Sequence, residues 1–182
     1  MLPPSGCRTL AEHMFESLVL GVDPGTAALG LAVVATRGSV ITVEWAQTVR
    51  TTRGVPPAER LRRVHASVRE VIRTHHPESM AIERLLWGRA AGSAMEVARA
   101  AGAVMVAAAE EGIPVEEYAP LEVKMAVTGV GNAPKDQVRR ALVRVLGARG
   151  VPDEPDAADA VAVAVCHFQQ ARLRRAAREA VP

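Results

Sequence analysis

Four acidic residues have types and positions that could do chemistry together: Asp23, Glu83, Asp156 and Asp159. Asp23 ends the apolar run from Leu18, and Glu83 ends the run from Met80, so each is expected at the carboxyl end of a buried strand. Asp156 and Asp159 are three apart, and on a helix that spacing puts both on one face. Converging carboxylates repel one another unless a cation lies between them. Hard divalent ions take oxygen ligands, and Mg²⁺ or Mn²⁺ suits such a set. Two such ions about 3.5–4 Å apart activate a water and stabilise the leaving oxygen in phosphodiester cleavage.

Taken singly, these acids also have structural readings. Asp156 falls in a helix first turn, where acids favour the helix dipole. The nearby Asp153 fits an N-cap, and Asp23-Pro24-Gly25 is a turn sequence. Glu83 and Asp159 resist that treatment. Both are expected in apolar surroundings, where an unpartnered carboxylate costs on the order of several kcal/mol. Each should have a partner, and a metal ion is a good one.

The elements that must position these acids follow from patterning. Leu18–Asp23 reads as a central strand, Leu31–Val34 as a second and Val40–Val49 as a third, joined as an antiparallel meander. Pro56 and Pro57 open a helix with Leu61, Val64, Val68 and Val71 at helical spacing, closed by His75-His76-Pro77. Met80–Glu83 is a fourth strand, 90–111 an Ala-rich helix and Val115–Tyr118 a fifth strand. Helices over Pro120–Val127 and Pro134–Leu146 follow. The last helix starts near Asp153 and stays apolar almost all round to Phe168. Helices between the later strands imply parallel pairing with right-handed crossovers. The expected fold class is α/β, a mixed five-stranded sheet with helices on both faces. Residues 1–17 read as a disordered N-terminal extension, 18–168 as the domain and 169–182 as a basic C-terminal tail.

Composition narrows the class. The 182 residues suit one domain, and charged residues at 23% with hydrophobic residues at 49% exclude a disordered chain. Gly, Asp or a charge interrupts every apolar stretch well before about 18 residues, so no membrane span is expected. Two cysteines and no visible signal peptide point to a cytoplasmic location. Aromatics at 3% argue against a stacking platform for single-stranded nucleic acid. The charge is unevenly spread: 50–73 carries a net +5, 135–149 a net +4 and 110–122 a net −5. The basic segments could form a phosphate-binding face, or simply solvated helix faces. Of 22 basic residues only Lys124 and Lys135 are lysines.

Taken together, several stretches resemble the RuvC-type Holliday junction resolvases. They are Leu20-Gly-Val-Asp-Pro-Gly25, Ala81-Ile-Glu-Arg84, Ser93-Ala94, Glu117-Tyr-Ala-Pro120, Val123-Lys124, Val127-Thr-Gly-Val-Gly131, Lys135 and Pro155-Asp-Ala-Ala-Asp-Ala-Val-Ala-Val-Ala164, then Cys166-His167. The resemblance implies a ribonuclease H-like fold, with Asp23, Glu83, Asp156 and Asp159 as catalytic, metal-binding carboxylates serving Mg²⁺ or Mn²⁺, two ions per site. It places Lys124 and Lys135 near the scissile DNA, where a point charge serves differently from a planar guanidinium. Arg84, Arg89, Arg139 and Arg140 are the further expected DNA contacts. Where the family has a branch-point Phe, this chain has Leu86, with Trp87 next; either could wedge into the junction or simply pack in a loop. The resemblance also implies a four-way junction substrate, a homodimer, and a branch-migration complex of RuvA–RuvB type as partner. Small residues at Ala91, Ala94, Ala98, Ala101 and Gly102 would permit close helix approach in a dimer, or belong to an ordinary core helix.

The expected function is therefore a structure-selective DNA endonuclease making paired symmetric nicks in recombination and repair. The alternatives are a ribonuclease H-like enzyme on RNA–DNA hybrids or other branched DNA, and a catalytically silent junction-binding protein. A sugar-kinase or actin-like ATPase half, suggested by Asp23-Pro-Gly-Thr26, needs two such domains in a longer chain.

Overall fold

The computed structural model describes residues 16–25, 27–52, 54–85 and 91–179. Three strands open the chain: β1 (Glu16–Pro24), β2 (Ala28–Arg37) and β3 (Val40–Arg50). Helix α1 (Pro57–His75) leads to β4 (Ser79–Glu83), and α2 (Ala91–Glu110) to β5 (Val115–Tyr118). Helices α3 (Pro120–Thr128), α4 (Lys135–Arg144) and α5 (Pro155–Glu179) complete it. The sheet order is β3-β2-β1-β4-β5. The first three strands pair antiparallel, while β1–β4 and β4–β5 pair parallel. This is the expected mixed sheet, and each inferred element is present.

Alternation along the strands splits the core into two layers. Leu20, Val22, Leu29, Leu31 and Val33 pack against Val64, Val68 and Ile72 of α1 and Val104 and Ala107 of α2. Val19, Ala32, Val34 and Ala81 face the opposite layer, built from α3, α4 and α5. With both faces covered, β1 and β2 read as continuous apolar runs rather than alternating ones. Helix α5 is apolar all round through Phe168 because it lies between the sheet and the α3–α4 pair. Its small side chains let it come very close. A Cβ on Gly21 would meet the Ala160 carbonyl carbon at 3.1 Å and Ala164 Cβ at 3.0 Å, and one on Gly30 would meet the Asp156 carbonyl carbon at 2.6 Å. These two strand glycines form the seat of the helix.

Boundaries differ in detail. The strand β1 begins at Glu16, two residues inside the segment read as an extension, and α5 runs on unbroken to Glu179 through the segment read as a tail. Residues 1–15 lie outside the described residues. Pro155, not Asp153, opens α5; Asp153 pairs with Arg139 and is no N-cap. As the His-His-Pro sequence suggests, α1 ends with His76 in the left-handed conformation, its N–H donating to the Ile72 carbonyl at 2.8 Å. At the outer edge of the sheet, Val43 N–H donates to Arg149 O at 2.9 Å and Arg149 N–H to Ile41 O at 3.0 Å.

Candidate active site

Strand register puts the first two acids side by side. The parallel ladder pairs Val22 with Ile82, so Asp23 and Glu83 are the next residues on adjacent strands, at their carboxyl ends. Alternation turns both toward α5, the same side as Gly21 and Ala81. Asp23 pairs with Gly30, Gly30 with Thr48, and Glu83 with Tyr118. A transverse row, Thr48–Gly30–Asp23–Glu83–Tyr118, thus crosses the whole sheet. The first turn of α5 rests on this row through the contact of Gly30 with the Asp156 backbone. That seat brings Asp156, and Asp159 one turn on, over the strand acids. All four acids are half-buried.

Lys135 joins them. At the first residue of α4 it forms a hydrogen-bonded ion pair with Asp159, whose side chain is only 19% exposed. Burial works against the charge on Lys135, but Asp159 outweighs it, with further contributions from Asp23 and Asp156, and the ammonium pKa is raised. Three of the four acids therefore act on one cation. Asp159 has the partner that a half-buried carboxylate requires.

Among the described residues, no three His, Cys, Asp or Glu side chains are gathered closely enough to hold a metal ion between them. The Lys135 ammonium is bonded to Asp159, and Asp23 and Asp156 act on it through charge alone. The donor set is all hard oxygen, which fits a hard divalent ion.

The other expected site residues are distributed as follows. Lys124 is half-buried on α3 and makes no ion pair among the described residues; its carbonyl accepts a hydrogen bond from Thr128 Oγ1 at 2.8 Å. Arg84 directly follows Glu83 with an exposed side chain, and its N–H donates to Tyr118 O at 2.8 Å. Arg139 is held by Asp153 and the Pro152 carbonyl, and Arg140 by Asp136 at 2.7 Å. Leu86, Trp87 and Arg89 lie outside the described residues. The basic segment 50–73 is largely an internal matter: Arg62 and Arg63 pair with Glu59, while Arg69 and Arg73 pair with Glu110 and Glu111 at the end of α2. Glu110 and Glu111 thereby offset part of the local excess of positive charge. The buried Cys166 thiol is pushed up to about 12 by burial, which excludes a thiolate nucleophile there.

Sequence reasoning passed over the glycine seat, although glycine inside an apolar strand signals close backbone approach. It also passed over Tyr118 and Ser79, which bracket His167 of α5 at 3.0 and 3.3 Å and tie the helix to β4 and β5.

The sequence profile of the family described as Crossover junction endodeoxyribonuclease RuvC matches residues 19–167. The chain belongs to this family. The RuvC protein of Moorella thermoacetica is 43% identical over 162 residues, covering 89% of this chain and 97% of the relative. That of Pelotomaculum thermopropionicum is 43% identical over 150 residues, 82% and 92% of the two chains. Among solved structures, Thermus thermophilus RuvC in complex with a Holliday junction substrate superposes with a TM-score of 0.80 at 39% identity, over 86% of this chain and 96% of that one. The yeast mitochondrial Holliday junction resolvase shares the fold, with a TM-score of 0.67 at 13% identity.

Proposed function

We propose that this chain is a structure-selective endonuclease that resolves four-way DNA junctions by paired symmetric nicks, in recombination and repair. The observation that carries the reading is the set of four acids, two at adjacent strand ends and two on the helix seated above them, in a chain of the RuvC family. Divalent ions, Mg²⁺ or Mn²⁺ and two per site, would supply activation of water and neutralisation of charge on the leaving oxygen. The chain's own part is to hold those ions with Asp23, Glu83, Asp156 and Asp159. The water attacks the phosphorus in line, and the bond to the 3′ oxygen breaks. The products are a 3′-hydroxyl and a 5′-phosphate. Lys124 and Lys135 offset the negative charge that gathers on the phosphate in the transition state. Arg84, Arg139 and Arg140 hold neighbouring phosphates and set the register of the duplex arms.

Paired cuts on a two-fold substrate call for a two-fold enzyme. The small residues of α2 do not share one face: Ala94 and Ala101 turn to the core, while Ala98 and Gly102 are exposed. With Met95 at 54% and Val106 at 53% exposure they form an apolar stripe, which is the proposed homodimer contact. A branch-migration complex of RuvA–RuvB type is the proposed partner. Among the described residues no helix is long and apolar enough to cross a membrane, and the cytoplasm is the proposed location.

The decisive experiment incubates the purified protein with a labelled mobile four-way junction, a matched duplex and an RNA–DNA hybrid, each with Mg²⁺, Mn²⁺ or EDTA. Symmetric nicking of the junction alone, abolished by EDTA, is expected. Preferential cleavage of the hybrid would replace this reading with a ribonuclease H-like one. Binding to the junction without cleavage under either metal would make the chain a binder.

A further inference from the structure

We propose that Lys135 is the resident counter-cation of the carboxylate set, and that divalent-ion loading displaces its ammonium from Asp159 and frees it for a DNA phosphate. The inference rests on the function proposed above and adds a coupling between metal loading and DNA binding. Three observations carry it. The ammonium's hydrogen bond is to Asp159, an acid of the catalytic set, and not to Asp136 beside it in sequence. Asp136 is engaged by Arg140 instead. The Lys135 side chain is 66% exposed while Asp159 is 19% exposed, so the lysine reaches in from solvent over a flexible four-carbon stem and can leave the way it came.

The exchange follows from charge. One ammonium gives the acids a single positive charge; a divalent ion gives two and repels the ammonium from the same oxygens. Asp159 cannot serve both cations equally. Arg139 and Arg140, by contrast, are anchored on Asp153 and Asp136, which lie outside the set, so metal loading gives them no reason to move. Lys135 is thus the basic residue of α4 whose availability to a phosphate depends on what the acids hold. Linkage makes the effect reciprocal: if metal favours DNA binding through Lys135, DNA favours metal binding by the same factor.

The test measures binding, not turnover. Mn²⁺ titration of the full-length protein by calorimetry, without DNA, compares the wild type with Lys135→Met and Lys135→Arg. Loss of the competing charge in Lys135→Met should tighten Mn²⁺ binding at least about fivefold, while Lys135→Arg stays near the wild type. Junction affinity, measured with Ca²⁺ and with EDTA, should rise on adding Ca²⁺ in the wild type and rise less in Lys135→Met. Circular dichroism on each variant confirms that it folds. An Mn²⁺ affinity unchanged or weakened in folded Lys135→Met overturns the exchange, and so does an equal Ca²⁺ effect on junction affinity in both proteins. Failure of the wild type to cleave junctions, with the Mn²⁺ shift intact, sinks the functional reading and leaves the exchange standing.

Discussion

Replacing Gly30 by alanine should disable the enzyme without touching an acid. A Cβ there would lie 2.6 Å from the Asp156 carbonyl carbon, whereas ordinary contact begins at 3.4 Å. The obstructing atoms are helix backbone, which cannot rotate away, so the first turn of α5 must retreat by about 0.8 Å or more. Asp156 rides on that turn and Asp159 on the next, while Asp23 and Glu83 stay on the sheet. Catalytic groups have to be held within about 0.5 Å, and a misplacement of about 1 Å costs on the order of 100-fold in rate. Single-turnover cleavage of a four-way junction should therefore slow by roughly that factor in Gly30→Ala. Overpacking should also cost about 1–3 kcal/mol, a fall in Tm of roughly 3–10 °C read by circular dichroism. Junction affinity should change little, because phosphate contacts away from the acids supply most of it. Cleavage at the wild-type rate by folded Gly30→Ala would refute the claim that the glycine seat sets the acid geometry.

Asp23→Asn, Glu83→Gln, Asp156→Asn and Asp159→Asn should each abolish nicking in a gel assay while the protein still shifts a junction; near wild-type cleavage by Asp159→Asn would remove that residue from the set. Thr48→Val should raise Tm by roughly 2–4 °C, since Thr48 Oγ1 is buried with no hydrogen-bond partner among the described residues and the hydroxyl costs about 1 kcal/mol there; an unchanged or lower Tm would show that the hydroxyl is satisfied. Hydrogen bonds from Arg73 and then Arg69 hold the Glu111 carboxyl below its ordinary value of 4.5, so its contribution to stability is present above that pH and is lost as pH falls through the lowered pKa. Glu111→Gln should accordingly melt below the wild type at pH 7 and converge with it in strongly acidic buffer, and a gap independent of pH would contradict the ion-pair account. Ala98→Arg should convert a sedimenting dimer to monomers; a dimer that survives it does not use the exposed stripe of α2.

The strands and helices were readable because each has its own punctuation. Pro57 opens α1, the sequence His75-His76-Pro77 closes it, and an unbroken apolar run marks β1 as covered on both faces. The pairing of Asp23 with Glu83 was readable in outline once β1 and β4 were taken as parallel neighbours, since both acids end their strands. Contacts far apart in sequence were not. Nothing at positions 135 and 159 says that the lysine rests on the aspartate rather than pointing into solvent, because that depends on how α4 packs against α5. The basic run of α1 could be read as a phosphate face or a solvated one, and its partners were hidden for a related reason. Arg69 and Arg73 meet Glu110 and Glu111 across roughly forty residues of chain, and local net charge carries no information about such partners. The small residues of α2 left two readings open, since small residues at helical spacing occur equally on a buried and an exposed face.

The placement of α5 has a consequence for a cell that makes this protein. Asp156 and Asp159 arrive on a helix that follows all five strands in the chain, and the same helix covers the β-face formed by Val19, Ala32, Val34 and Ala81. Strands β1–β5 emerge from the ribosome earlier, carrying two acids on a sheet that α1 and α2 cover on its other face only. Any chain interrupted before Pro155, by stalled translation or a nonsense mutation, has neither the second pair of acids nor the helix that closes that half of the core. The second acid pair and the cover of that half of the core are thus acquired together, so an interrupted chain lacks both.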